Sequence, residues 1–198
     1  MNQILEIKIE KNKYRNFFKI QLFASLISII ILLIYFLSNY INEKKYEKIS
    51  EIIDNNLKLS FIYEINKRKT EESLYFGKIF IEKINLENVV FNKYSEELLK
   101  ISPCKFYGDK IEEKGNICIA GHNYNDDRFF SRLDELELKD TIKLLDFNGK
   151  YYEYQIYEIY ETDENDMNPL KNKKDYELTL ITCDNLNNKR IIIKAFRI

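Results

Sequence analysis

Three polar side chains of complementary chemistry stand where apolar runs give out. Cys183 ends the run "LTLIT", His122 follows "ICIAG", and Arg190 opens the closing run "RIIIKAFRI". His122 is the only histidine in 198 residues. A thiol attacks as its thiolate, and its ordinary pKa is about 8.5. An imidazole, ordinarily near about 6.5, exchanges protons with substrate and leaving group around neutrality. Attack on an amide carbonyl builds an oxyanion, for which a permanently charged, forked guanidinium is a suitable donor. Brought to one place, the three suffice for acyl transfer through a thioester.

Each residue also has a structural reading. A buried cysteine ordinarily acts as a small hydrophobe, a lone histidine is commonly a satisfied core or surface group, and an arginine opening an edge strand is commonly solvated. Composition and spacing leave both readings open.

The elements that must position these residues are mostly strands. "LYFGKIFIEKINLENVVF" (74–91) alternates β-branched and aromatic residues and predicts two short strands. "SEELLKI" predicts one helical turn, and "GNICIAGH" a short buried strand between Gly115 and Gly121. In "DDRFFSRLDELEL" a start signal at Asp126 or Asp127, with Phe130, Leu133 and Leu136 on one face, predicts a helix. "DTIKLLDF" and "KYYEYQIYEIYE" flank Asn148-Gly149, a strong hairpin signal. Cys104 falls in the loop after Pro103, and Cys118 in the strand leading to His122. Many short strands without a βαβ rhythm predict an all-β barrel or sandwich.

Ahead of these strands, 20–41 reads "IQLFASLISIIILLIYFLSNYI", 22 residues without a charge. About 20 such residues cross a bilayer, and no small-x-small cleavage site follows. The expectation is a retained signal anchor. Lys8, Lys11, Lys13, Arg15 and Lys19 precede it, so 1–19 is expected to be cytoplasmic and everything beyond about Asn42 extracytoplasmic. The charged, glycine- and proline-free segment 42–73 reads as a juxtamembrane helix or stalk, leaving 74–198 as the exported domain.

A net charge of −1 gives no bulk electrostatic case for nucleic acid, and the basic cluster Asn66–Lys69 reads as solvated surface. Three cysteines cannot all pair internally.

The motifs taken together resemble the sortase family. "TLITC", a short loop and "RIII" are similar to its active-site signature, "IAGHNY" with "FFSRLDEL" and "KDTI" to its histidine region, and 74–91 to its opening strands. The resemblance runs from about Leu74 to Arg197. It implies an eight-stranded β-barrel carrying a cysteine transpeptidase on the outer face of a Gram-positive membrane. Such an enzyme cleaves a Leu-Pro-x-Thr-Gly-like sorting signal after its threonine, holds a thioester, and passes it to an amine of the peptidoglycan precursor. By position Cys183 matches the nucleophile, His122 the general acid/base, and Arg190 the residue that orients substrate and stabilises the oxyanion. Thr182 matches a residue shaping the oxyanion site. Expected partners are sorting-signal-bearing proteins, the precursor amine and the cell membrane, with no nucleic acid.

Departures from the family pattern refine these expectations. The loop "CDNLNNKR" is short, which bears on the acceptor. Arg197 is a rival to Arg190, but "RIIIKA" matches the family's closing strand better. Some members bind calcium, yet the spacing of Glu112, Glu113, Asp163, Glu164 and Asp166 does not match that site, so no metal or other cofactor is expected. A Cys104–Cys118 bridge is conceivable, with reduced thiols preferred. Pilin-polymerising members usually carry an Asp-Pro-aromatic lid, whereas Pro103 and Pro169 are not preceded by Asp. A class A- or D-like enzyme is therefore expected over class C. The rivals outside that reading are an exported cysteine peptidase that only hydrolyses and a non-catalytic anchored β-domain.

Overall fold

A computed structural model describes residues 2–64, 74–124, 126–146, 148–184 and 188–198, with the side chains of the N-terminal helix described at 17–19 and 21–53. The expected surface cluster at 66–69 lies outside the described residues. The chain divides into two compact units, Met1–Glu47 and Lys48–Ile198.

Helix α1 covers Asn2–Glu64. Within it Phe17–Ile53 is long and apolar enough to cross a membrane. Its large apolar side chains are exposed all round; Leu33 is 62% and Phe36 65% accessible. A helix apolar on every face has no solvated side to present to water, which suits lipid.

Eight strands follow: β1 Tyr75–Ile81, β2 Leu86–Phe91, β3 Cys104–Tyr107, β4 Gly115–Ala120, β5 Thr141–Leu145, β6 Tyr151–Asp163, β7 Tyr176–Asp184 and β8 Lys189–Arg197. They close into one barrel in the order β1-β2-β3-β4-β7-β8-β6-β5, with β5 pairing back onto β1. Closure leaves no open sheet edge. The interior is filled by inward-facing aliphatic and aromatic residues, among them Ile79, Ile119, Ile142, Tyr154, Leu178 and Ile193. A second apolar cluster joins Phe91, Leu99 and Cys104 beside a short helix α2 (Glu96–Leu99), whose first turn Ser95 caps through its hydroxyl. Ile53 packs against that cluster, so the barrel unit draws on residues ahead of β1.

Local structure follows the sequence with two corrections. Cys104 is not in a loop but opens β3, fully buried between Phe91 and Ala120. The helix expected from Asp126 reduces to one 3₁₀ turn, Leu133–Glu135. The Asp126 carboxylate accepts from the Arg128 amide and Nε instead, and Phe129 takes a left-handed φ of 54°. Phe130, Leu133 and Leu136 are all buried, because a spacing of three suits a three-residue turn as well as an α-helix. At the β5–β6 turn Gly149 has a φ of 79°, and Asp146 Oδ1 accepts from the amides of Asn148 and Lys150.

Candidate active site

The parallel pairing of β4 with β7 brings the imidazole and the thiol to one end of the barrel. Ala120 lies opposite Ile181, so the next two residues of each chain segment carry His122 and Cys183 beyond the same rim. The turn after β4 is held to β7 by three bonds. The Gly121 amide donates to Ile181 O at 3.1 Å, and Thr182 Oγ1 donates to Gly121 O at 2.8 Å. Two residues further along the same turn, Asn123 Nδ2 donates to Cys183 O at 2.7 Å. Gly121 lies hard against a neighbour: a Cβ there would stand 2.6 Å from the fully buried ring of Phe130. The Phe130 amide donates to His122 O at 3.1 Å.

The guanidinium arrives by the antiparallel β7–β8 pairing, in which Cys183 and Arg190 are directly opposed. Arg190 Nη1 donates to Cys183 Sγ at 2.9 Å. Residues 185–187 of the intervening loop lie outside the described residues. Arg197, the rival, is seven residues along β8, stacked 3.7 Å from the Tyr176 ring, and does not line the cavity.

His122, Cys183 and Arg190 line one cavity of about 260 Å³. His122 Nε2 is buried and has no hydrogen-bond partner among the described residues. Burial holds the imidazole below its ordinary value of 6.5; Glu96 opposes this, while Lys100, Arg128 and Arg190 reinforce it. Burial thus favours the neutral imidazole, the form that accepts a proton. His122 thus shares a cavity with the thiol, and no described group competes for its Nε2.

Thr182 differs from the other three. Its side chain is buried and its hydroxyl is committed to Gly121 O, so it fixes the histidine turn and does not line the cavity. The two remaining cysteines, on β3 and β4, are free and fully buried. Burial pushes the Cys104 thiol up to about 11 and the Cys118 thiol up to about 12. Neither is a nucleophile at neutral pH.

Other walls of the cavity were not legible as site residues. Glu96 comes from α2 and accepts a bond from the Tyr94 hydroxyl, whose pKa that bond, with burial, pushes up to about 12. Met167, Pro169 and Leu170 come from the segment between β6 and β7. "SEELLKI" signals a helical turn, but nothing in it tells which cavity the turn faces. Glu164 and Asp166 line the cavity too, with Asp166 accepting from Thr162 Oγ1 and the Asn168 amide. Among the described residues no three His, Cys, Asp or Glu side chains converge as a metal site requires.

Comparison with known proteins bears on this arrangement. A family model described as the sortase domain matches residues 79–198. Sortase A of Bacillus anthracis is 27% identical over 133 residues, 66% of this chain and 63% of its own length, so the match leaves more than a third of that relative uncovered. A Sortase D5 transpeptidase of Clostridium perfringens superposes with a TM-score of 0.62 at 27% identity, over 70% of this chain and 94% of its own. Sortase C1 of Streptococcus agalactiae superposes with a TM-score of 0.59 at 23% identity, over 78% and 89% respectively, a likeness of fold. Sortases of several classes thus share the barrel, and the expected preference for class A or D is not decided by likeness. The matched segment holds seven of the eight strands whole and all three polar residues of the cavity: the chain belongs to the sortase family.

Proposed function

We propose that the chain is a membrane-anchored cysteine transpeptidase acting on a Leu-Pro-x-Thr-Gly-like sorting signal. The observation that carries the reading is the Arg190–Cys183 hydrogen bond on a cavity that His122 also lines, its buried Nε2 having no hydrogen-bond partner among the described residues. In the first half-reaction His122 accepts the Cys183 proton and the sulfur attacks the threonine carbonyl carbon. Arg190, already at the sulfur, is in reach of the developing oxyanion. The threonine–glycine C–N bond then breaks, and His122 returns the proton to the leaving amine. In the second half-reaction an acceptor amine loses a proton to His122 and attacks the thioester, the new amide forms, and the thiol is regenerated. One imidazole serves as base and acid in turn, so no second titrating group is needed.

Anchoring through 20–41, with the N-terminus cytoplasmic and the barrel outside, is supported by the apolar side chains exposed all round α1 and by the basic residues ahead of it. Attachment of proteins to the wall is favoured over pilin polymerisation because neither proline forms an Asp-Pro-aromatic motif.

The test is product analysis on sorting-signal peptides with and without an added amine such as a diamino acid or oligoglycine. Transpeptidation predicts a new amide product only when the amine is present. Hydrolysed peptide alone under both conditions would favour a peptidase, and no cleavage of any peptide would favour a binding domain.

A further inference from the structure

Three buried polar residues on the outer face of the barrel wall, alternating with the core positions Ile117, Leu178 and Ile193, direct bonds to the backbone of one short segment that covers them. Asn116 on β4 donates through Nδ2 to Pro169 O at 2.8 Å, while its Oδ1 accepts from Thr179 Oγ1 at 2.8 Å. Lys194 on β8 donates through Nζ to Lys171 O at 3.0 Å and to the Glu177 carboxylate. Glu177 on β7 accepts the amides of Lys173 and Lys174 at Oε2, the latter at 3.0 Å, and the Tyr157 hydroxyl at Oε1. Asn116, Glu177 and Lys194 are 4%, 1% and 0% exposed. Four loop groups, Pro169 O, Lys171 O and the amides of Lys173 and Lys174, are thus fixed from three different strands.

Barrel stability does not account for this choice of residues. A buried ion pair is commonly no more stabilising than apolar residues of the same volume. Buried polar groups that are fully satisfied do hold one geometry where apolar contacts would allow several. The segment they hold carries Pro169 and Leu170, both on the wall of the catalytic cavity. Exposed contacts on the same segment, such as Lys173 with Glu158, are weak restraints by comparison.

We propose that Asn116, Glu177 and Lys194 are positioning residues for peptide recognition, a polar clasp that presets the Pro169–Lys174 backbone and with it one wall of the cavity. The proposal rests on the transpeptidase reading. None of the three touches the reacting atoms, so they act on capture of the peptide rather than on the chemical step. Their removal raises KM and leaves kcat and the intrinsic reactivity of Cys183 in place.

The test uses the full chain in detergent micelles and two variants, Asn116→Ala and the double variant Glu177→Leu with Lys194→Met. The double change removes both charges together, so no uncompensated buried ion is left. Expected in each variant is a rise in KM for a sorting peptide of about tenfold, kcat within about twofold, and an unchanged rate of Cys183 alkylation by iodoacetamide. Amide hydrogen exchange at Lys173 and Lys174 should be slow in the wild-type chain and fast in the double variant. An unchanged KM in the variants overturns the proposal, and so does fast exchange at both amides in the wild-type chain. Loss of the cooperative melt in the double variant would assign the pair to stability and overturn it as well. If the wild-type chain turns over no peptide, the transpeptidase reading fails instead, and exchange still reports whether the clasp holds the segment.

Discussion

Arg190 Nη1 sits 2.9 Å from the sulfur of Cys183, its directly opposed partner across β7 and β8. The pairing register therefore holds the guanidinium at the thiol before any substrate is present. A donor held by two paired strands needs little reorganisation when charge develops on the neighbouring carbonyl. Arg190→Lys is expected to lose ~10²–10³-fold in peptide cleavage, since an ammonium on a flexible stem cannot reproduce the fork. Steady-state rates on a sorting peptide, with a cooperative thermal melt as the folding control, measure this. Loss of less than about threefold would separate Arg190 from the chemistry.

The Thr182 hydroxyl ties the end of β7 to the turn that carries His122. Thr182→Ser keeps the bond and is expected to keep both stability and turnover. Thr182→Val keeps the volume but leaves the Gly121 carbonyl without its donor, at a cost of about 1–3 kcal/mol. Chemical denaturation of the two variants checks the difference. Equal stability of the two would mean that the bond contributes nothing.

His122 gives a pH dependence whose sign is set by its depressed pKa. The unfolded chain takes up this proton near its ordinary 6.5, and the folded chain only at lower pH. Below 6.5 the unfolded state then binds more protons, so this group lowers stability as pH falls and has no effect well above 6.5. Comparing urea midpoints at about pH 8 and about pH 5.5, the wild-type chain should lose more stability than His122→Asn. An equal loss in both would show that the imidazole is not held neutral by burial.

Much of this arrangement was legible in the sequence because it sits on strands with clear apolar runs. "ICIA", "LTLI" and "RIII" became β4, β7 and β8, and the polar residue at the end of each was visible as an interruption. The strand β3 was missed because four residues after a proline, with Phe106 and Tyr107 exposed, show no alternation to read. The helix at Asp126 was misread because the same aspartate that signals a helix start also closes a local turn, here onto Arg128. Glu96 and Tyr94 escape as cavity walls because the β3–β4–β7 pairings bring them to Cys183 from far along the chain, and Leu170 because it sits in a polar segment between strands. No local pattern encodes that meeting. Asn116, Glu177 and Lys194 read as surface residues by type and are buried only because each bonds within a network.

The domain boundary yields a stability prediction. A soluble domain starting at Leu74 contains the whole barrel and should melt cooperatively, while one starting at Lys48 also retains Ile53 against Phe91, Leu99 and Cys104. Burying part of one isoleucine is worth about 1 kcal/mol. The longer domain should melt roughly 3–6 °C higher. Identical melting temperatures would mean that Ile53 contributes nothing, and a shorter domain without a cooperative transition would move the boundary ahead of Leu74.

The central claim is that Cys183 carries the acyl group, and intact-mass analysis of the protein incubated with a sorting peptide tests it most directly. With acceptor amine withheld, a single adduct with the mass of the peptide up to its threonine should appear and map to Cys183. It should disappear when amine is added, be absent in Cys183→Ala, and form far more slowly in His122→Ala. Cys104→Ala and Cys118→Ala should still form it, because both thiols are buried and held protonated. An adduct on Cys104 or Cys118, or peptide cleavage by Cys183→Ala, would contradict the assignment.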